Sequence, residues 1–147
     1  MAFPTLSEYE LLIYGLPDAH PEIASSTLRV YSTSSFTATV KGEIVFCNGL
    51  RLRVAEAVDL YAGLIRRYSY TVYRGQEKIR WYDPQPHPEN PDLAETFPHH
   101  YHEPPDIKRN RRPARGLRSD APNLHTLIAD CIQLGQSLRL PPGYPNG

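Results

Sequence analysis

Apolar and polar positions alternate through the middle of the chain and fall at helical spacing toward its two ends. From Thr27 to Asp83 apolar residues recur at every second position, the period of a strand with one buried face. Leu28 and Val30 alternate with Arg29 and Tyr31, and Phe36, Ala38 and Val40 with Thr37 and Thr39. Gly42 punctuates the pattern. Ile44–Cys47 and Leu50–Val54 flank Asn48-Gly49, a pair that reads as a two-residue type I′ turn because both central residues need positive φ. Such a turn sets Cys47 opposite Leu50 and Val45 opposite Leu52 on an apolar face. It sets Phe46 opposite Arg51 and Ile44 opposite Arg53 on the other. A second hairpin runs from Ile65 to Tyr73, turns at Arg74-Gly75-Gln76-Glu77 and returns through Lys78–Asp83. Glu56–Leu60 fits either a strand extension or a helical turn.

Thr5 or Ser7 caps a short first helix, with Glu8 and Glu10 at its positive end and Leu11, Leu12 and Tyr14 as its apolar side. Gly15 and Pro17 stop it. Ser119–Asn123 opens a second helix, in which Leu124, Leu127, Ile128, Cys131, Ile132 and Leu134 recur at helical spacing. The expected fold is therefore α+β: an antiparallel β-meander with a short N-terminal helix, and a C-terminal helix packed on one face. That face is expected to be Val45, Cys47, Leu50 and Leu52. One domain spans 1–147, with the sheet at about 27–83 and a His/Pro-rich loop at 84–106. A basic segment at 107–118, the helix at about 122–138 and a frayed tail at 139–147 follow. Pro84 is expected to end the sheet, because proline cannot donate to a ladder.

Composition changes the picture in the second half. Proline, at 15 residues, is about double its average usage and clusters late. The formal charge is zero, yet Lys108, Arg109, Arg111, Arg112, Arg115 and Arg118 follow one another with no acid between them. Two distant cysteines, Cys47 and Cys131, read as free thiols of a reducing compartment rather than as a disulfide. The N-terminus is acidic and short of apolar length, so it does not read as a signal peptide. No apolar run is long enough to cross a membrane. P-loop, GxGxxG, GxSxG and CxxC motifs are absent, which disfavours the nucleotide-binding, dehydrogenase, hydrolase and thiol-redox classes that depend on them.

The candidate chemistry lies in two stretches, Trp81-Tyr82-Asp83-Pro84-Gln85-Pro86-His87-Pro88 and Phe97-Pro98-His99-His100-Tyr101-His102. Four of the six histidines fall here. Histidine gives and takes protons near neutral pH, so a stiff His-rich loop beside arginines and tyrosines suits acid–base work on a phosphodiester. The plain alternative is a polar loop whose histidines bond to nearby carbonyls. A third reading is a metal site, since His100 and His102 share a face in extended chain and His87 or Asp83 would add a third ligand. Arg51 and Arg53, with Tyr68 and Tyr70 and the run Lys108, Arg109, Arg111 and Arg112, form a set that could clamp phosphates and stack bases. The plain reading of that set is strand-favouring tyrosine and a solvated basic loop.

Arg67-Tyr68-Ser69-Tyr70, Arg80-Trp81-Tyr82-Asp83, His87-Pro88 and Phe97-Pro98-His99-His100-Tyr101-His102 together resemble the TumE family of toxin–antitoxin toxins. Leu50-Arg51-Leu52-Arg53-Val54-Ala55-Glu56 is similar too, and the resemblance covers roughly residues 25 to 138. The Arg-rich run after the histidines and the Pro-rich tail fall outside the family pattern. The resemblance implies a small cytoplasmic toxin encoded beside a helix-turn-helix antitoxin. By analogy with other small α+β toxins, it implies cleavage of RNA.

On that reading the chain is a metal-independent endoribonuclease without a cofactor. His99 or His100 takes the 2′-hydroxyl proton, and Arg67 or Arg80 holds the charge of the pentacoordinate phosphorus. His102, His87 or Tyr82 protonates the leaving oxygen, and Asp83 orients a histidine. The partners expected are RNA and the antitoxin, with a homodimer possible and no membrane. The competing reading is a module that binds RNA or protein without turnover. The catalytic reading also requires the loop to fold back over the sheet face away from the C-terminal helix, bringing His87, His99, His100 or His102 near Arg67, Arg80 and Tyr82.

Overall fold

The computed structural model describes residues 2–138, so the expected fraying of 139–147 lies outside the described residues. Thr5 caps α1 (Leu6–Tyr14): its hydroxyl accepts from the Glu8 amide and the Glu8 carboxylate accepts from the Thr5 amide. The buried side of α1 is Tyr9 and Ile13. The expected apolar side is corrected for Leu11 and Tyr14, which are 76% and 45% exposed, while Leu12 packs half-buried against the core. Gly15 does end α1, but Pro17 sits in the first turn of a second short helix, α2 (Leu16–Ala19), where its missing N–H costs nothing.

The sheet begins earlier than expected, with β1 (Ile23–Ser26) and β2 (Arg29–Ser32). Both pair antiparallel with β3 (Thr37–Phe46), one after the other along the same edge. β4 (Leu50–Asp59), β5 (Leu64–Arg74) and β6 (Glu77–Asp83) continue the meander, which resolves Glu56–Asp59 as strand. Gly42 does not break β3. It lies within the strand at φ 143°, where a Cβ would come within 2.6 Å of the Thr27 carbonyl oxygen.

The register of the β3–β4 hairpin differs from the expected one by one residue. Ile44 pairs with Leu52 and Val45 with Arg51, so three residues, Cys47-Asn48-Gly49, make the turn. The Gly49 amide closes the turn on the Phe46 carbonyl at 2.9 Å, and Gly49 alone takes positive φ. Because side chains alternate, the slip turns β3 over relative to β4, which keeps Leu50 and Leu52 inward. Ile44, Phe46, Leu50, Leu52 and Val54 are the buried row, and Val45 and Cys47 are only half-buried. Burying a large aliphatic side chain is worth about 1.5–3 kcal/mol, so the register that buries Ile44 and Phe46 wins over an ideal turn.

The sheet does not end at Pro84. After a 3-10 turn (Pro91–Thr96), β7 (His100–His102) pairs with β6, and β8 (Arg111–Pro113) pairs with β7, giving a sheet of eight strands among the described residues. The final helix, α3 (Leu124–Ser137), buries Leu124, Leu127, Ile128, Cys131 and Gly135. They share one core with Tyr9, Ile13, Leu16 and the inward row of the sheet. α3 therefore covers the Leu50–Leu52 side, as expected, with Ile44 and Phe46 in place of Val45 and Cys47. Both cysteines are free thiols, Cys131 buried in α3 and Cys47 on the turn. No helix among the described residues is long and apolar enough to cross a membrane.

Candidate functional site

β6 delivers alternate residues to opposite faces of the sheet. Arg80 and Tyr82 point to the helix side. There the Tyr82 hydroxyl donates to Asp130 of α3 at 3.1 Å, and the Arg80 guanidinium lies 4.3 Å over the Tyr101 ring and donates to Tyr82 at 3.4 Å. Burial pushes both the Tyr82 hydroxyl and the Asp130 carboxyl upward in pKa, and the pair packs β6 against α3.

Trp81 and Asp83 point the other way, and the β6–β7 register sets His102 beside Trp81 and His100 beside Asp83. The result is a compact centre. His100 Nε2 lies 3.2 Å from Asp83 Oδ1, His102 Nε2 lies 3.1 Å from Asp83 Oδ2, and the two Nε2 atoms are 3.1 Å apart. His102 stacks on Trp81 with ring centroids 4.7 Å apart. The loop after β6 brings His87 edge-on to His100 at 5.0 Å, and His87 Nδ1 faces Glu89 at 3.4 Å.

The two rings of the centre are buried. The side chains of Asp83 and His87 retain 11% and 14% exposure, so the centre meets solvent on their side. Burial lowers the His100 pKa below the ordinary imidazole range, against a smaller pull from the Pro98 carbonyl and Asp83. The His102 Nδ1 atom is buried without a hydrogen-bond partner.

His99, the third member of the cluster, does not join the centre. Its Nδ1 lies 2.6 Å from the Tyr68 hydroxyl and its ring stacks on Tyr68. Tyr68 and Tyr70 belong to the buried core and stack on each other at 4.6 Å, so neither lies on the surface as a base platform. Burial raises both hydroxyls.

The face that carries Trp81 and Asp83 continues across the sheet. Trp81 Nε1 donates to Ser69 Oγ at 3.0 Å, and Lys78 Nζ lies 5.3 Å over the Trp81 ring. Ser69 lines a shallow trough of about 350 Å³ with Thr39, Lys41, Ala55, Ala57 and Arg67. The small side chains of Ala55, Ala57 and Ser69 make the floor, and Lys41 and Arg67 stand at the sides. Farther along, Arg51 and Arg53 lie 5.0 and 5.3 Å over the Tyr73 ring. Arg51 is also tied to Glu43 at 2.9 Å and to the Gly75 carbonyl at 2.7 Å.

Half of the basic run is ion-paired. Arg112 pairs with Glu103, Arg115 with Glu95 and Arg118 with Asp120. Arg111 is half-buried opposite His102 across the β7–β8 pair, with its Nε buried and unpartnered, while Lys108 and Arg109 are exposed on the turn before β8.

Two groups escaped sequence reading. Trp81 links trough and centre, and strand alternation with Asp83 was the available signal. Glu56 is buried between the Tyr9 and Tyr70 hydroxyls, which donate to its two oxygens. It stands in the inward row between Val54 and Val58, which marks it as a core acid.

No curated protein and no solved structure matches the chain. The family model described as Toxin TumE matches residues 13–134, and the chain belongs to the TumE toxin family.

Proposed function

We propose that this TumE toxin acts as an endoribonuclease, with Asp83, His100 and His102 as its reacting centre. Family membership supplies the toxin role and implies an antitoxin partner. The observation that supports RNA as the substrate is the continuity of one sheet face. Trp81 stacks on His102 on one side and bonds Ser69, at the trough, on the other. Lys41, Arg67 and Arg53 line or flank that path, so a phosphate chain in the trough leads to the centre. The ribose 2′-oxygen then attacks the adjacent phosphorus as the centre takes up the 2′-hydroxyl proton, the bond from phosphorus to the 5′-oxygen breaks as His87 at the rim protonates that oxygen, and the cations stabilise the negative charge added in between.

The roles first expected shift accordingly. His100, His102 and Asp83 stay in the reaction and His87 lies at its rim. Arg67 serves as a phosphate contact. Arg80, Tyr82 and His99 become packing residues, because they face the helix or Tyr68.

Induced expression in a bacterial host is expected to arrest growth. His100→Gln at matched protein level restores growth, while His99→Gln does not. Arrest that survives His100→Gln favours the binding module instead. Full growth with folded wild-type protein removes the toxin activity altogether.

A further inference from the structure

With both histidines neutral, the buried centre sets an imidazole lone pair against a carboxylate. His100 Nδ1 lies 3.1 Å from the Pro98 carbonyl oxygen, which can only accept, so Nδ1 carries the hydrogen. In neutral His100 the Nε2 lone pair then faces a carboxylate oxygen at 3.2 Å and the second imidazole nitrogen at 3.1 Å. A lone pair held against a carboxylate away from water is repulsive, and a positive charge between them, a proton on Nε2 or a metal ion, removes the repulsion. His102 also spends its Nε2 on this centre and leaves Nδ1 without a partner.

We propose that Asp83, His100 and His102 bind one divalent transition-metal ion. The two Nε2 atoms stand 3.1 Å apart, and each faces its own Asp83 oxygen, His100 Nε2 at 3.2 Å from Oδ1 and His102 Nε2 at 3.1 Å from Oδ2, so that one donor atom from each residue lies within 4.8 Å of the others. A zinc-like ion with bonds of about 2.0–2.1 Å at tetrahedral angles sets its ligand atoms about 3.3 Å from one another, so the spacing already matches a coordination shell. The same three residues form the one cluster of this kind among the described residues, all of them buried. Two imidazoles and one carboxylate, with no thiolate, is the donor set of ions that keep a position for water or substrate. The partly exposed side of Asp83 and His87 is where that position opens. Adjacent strands β6 and β7 supply all three ligands, so the ion also fastens the three-residue β7 to the sheet. With both Nε2 atoms bound, the ion would polarise a phosphoryl oxygen and His87 at the rim would carry the proton, which replaces the expected metal-independent course. The site stands on its own geometry; its part in cleavage rests on the ribonuclease reading.

The test uses the full-length chain without a histidine tag, stripped with chelator and titrated with zinc(II) and with cobalt(II). Binding of about one equivalent per chain is expected, with a rise in melting temperature and a visible cobalt absorption band. Asp83→Asn and His102→Gln abolish all three. His125→Gln, which removes the surface pair His20–His125 with its 2.7 Å contact, leaves them unchanged. Less than about half an equivalent on the wild type, or binding retained in both centre variants, overturns the site. Should a variant fail to fold, the wild-type stoichiometry and cobalt spectrum decide. RNA cleavage undiminished by EDTA overturns the metal's part in the reaction and leaves the ribonuclease reading standing. Stoichiometric metal without cleavage upholds the site and overturns the ribonuclease reading.

Discussion

Tyr82 and Asp83 are chain neighbours that serve opposite faces of the sheet: the Tyr82 hydroxyl donates to Asp130 of α3, and the Asp83 carboxylate meets His100 and His102. Their substitutions should separate stability from activity. Tyr82→Phe removes one part-buried hydrogen bond and lowers unfolding free energy by about 1–2 kcal/mol in urea titration, with growth arrest intact. Asp83→Asn abolishes arrest. Loss of arrest in a folded Tyr82→Phe chain would return Tyr82 to the reaction.

Glu56 sets a pH dependence of stability. Burial raises its pKa above the ordinary value of 4.5, against the pull of the Tyr70 and Tyr9 hydroxyls. The folded chain then keeps a proton that the unfolded chain releases above 4.5, so this term weakens stability as pH rises from there through the raised folded value. Denaturation midpoints between about pH 4.5 and 8 should fall less steeply in Glu56→Gln than in wild type. Equal slopes would mean that Glu56 is ionised in the fold.

Gly42 should tolerate no side chain. Its φ of 143° and the 2.6 Å approach of a Cβ to the Thr27 carbonyl put strain on both backbones. Gly42→Ala is expected to cost about 3 kcal/mol or more. At Gly75, with φ 60° and nothing within 4 Å of a Cβ, alanine should cost about 1–2 kcal/mol. Equilibrium unfolding of the two variants compares them directly, and similar losses would contradict the close approach of β3 to the Thr27–Leu28 turn.

On the trough face, Lys41→Ala and Arg53→Ala should each weaken binding of a single-stranded RNA and lower the salt dependence of log K by about 0.7. Arg112→Ala should leave the slope unchanged, since Arg112 is paired with Glu103 at 3.0 Å. Fluorescence anisotropy across a salt series measures both, and the opposite ranking would move the RNA path to the β8 edge.

The hairpins, α3 and the histidine cluster were legible in the sequence because their signals are local. Asn48-Gly49 announced a turn but not its length, since the burial of Ile44 and Phe46 is a tertiary preference. β7 and β8 are three residues each and flanked by prolines, too short for a period-two pattern to register. Arg80-Trp81-Tyr82-Asp83 already carried the division of faces. Taking Arg80 and Tyr82 together with Asp83 as reacting groups put Arg80 and Tyr82 on the wrong side. The basic run looked free because its acids, Glu95 and Glu103, come from another part of the chain.

The most direct measurement is the rate at which the purified full-length chain cuts a defined single-stranded RNA, wild type against Asp83→Asn, with Tyr82→Phe as the folded control. The account predicts cleavage by wild type and Tyr82→Phe, leaving 2′,3′-cyclic phosphate ends, and a loss of about a hundredfold or more in Asp83→Asn. Intact RNA at high concentration of folded wild type, or equal rates for all three chains, would contradict it.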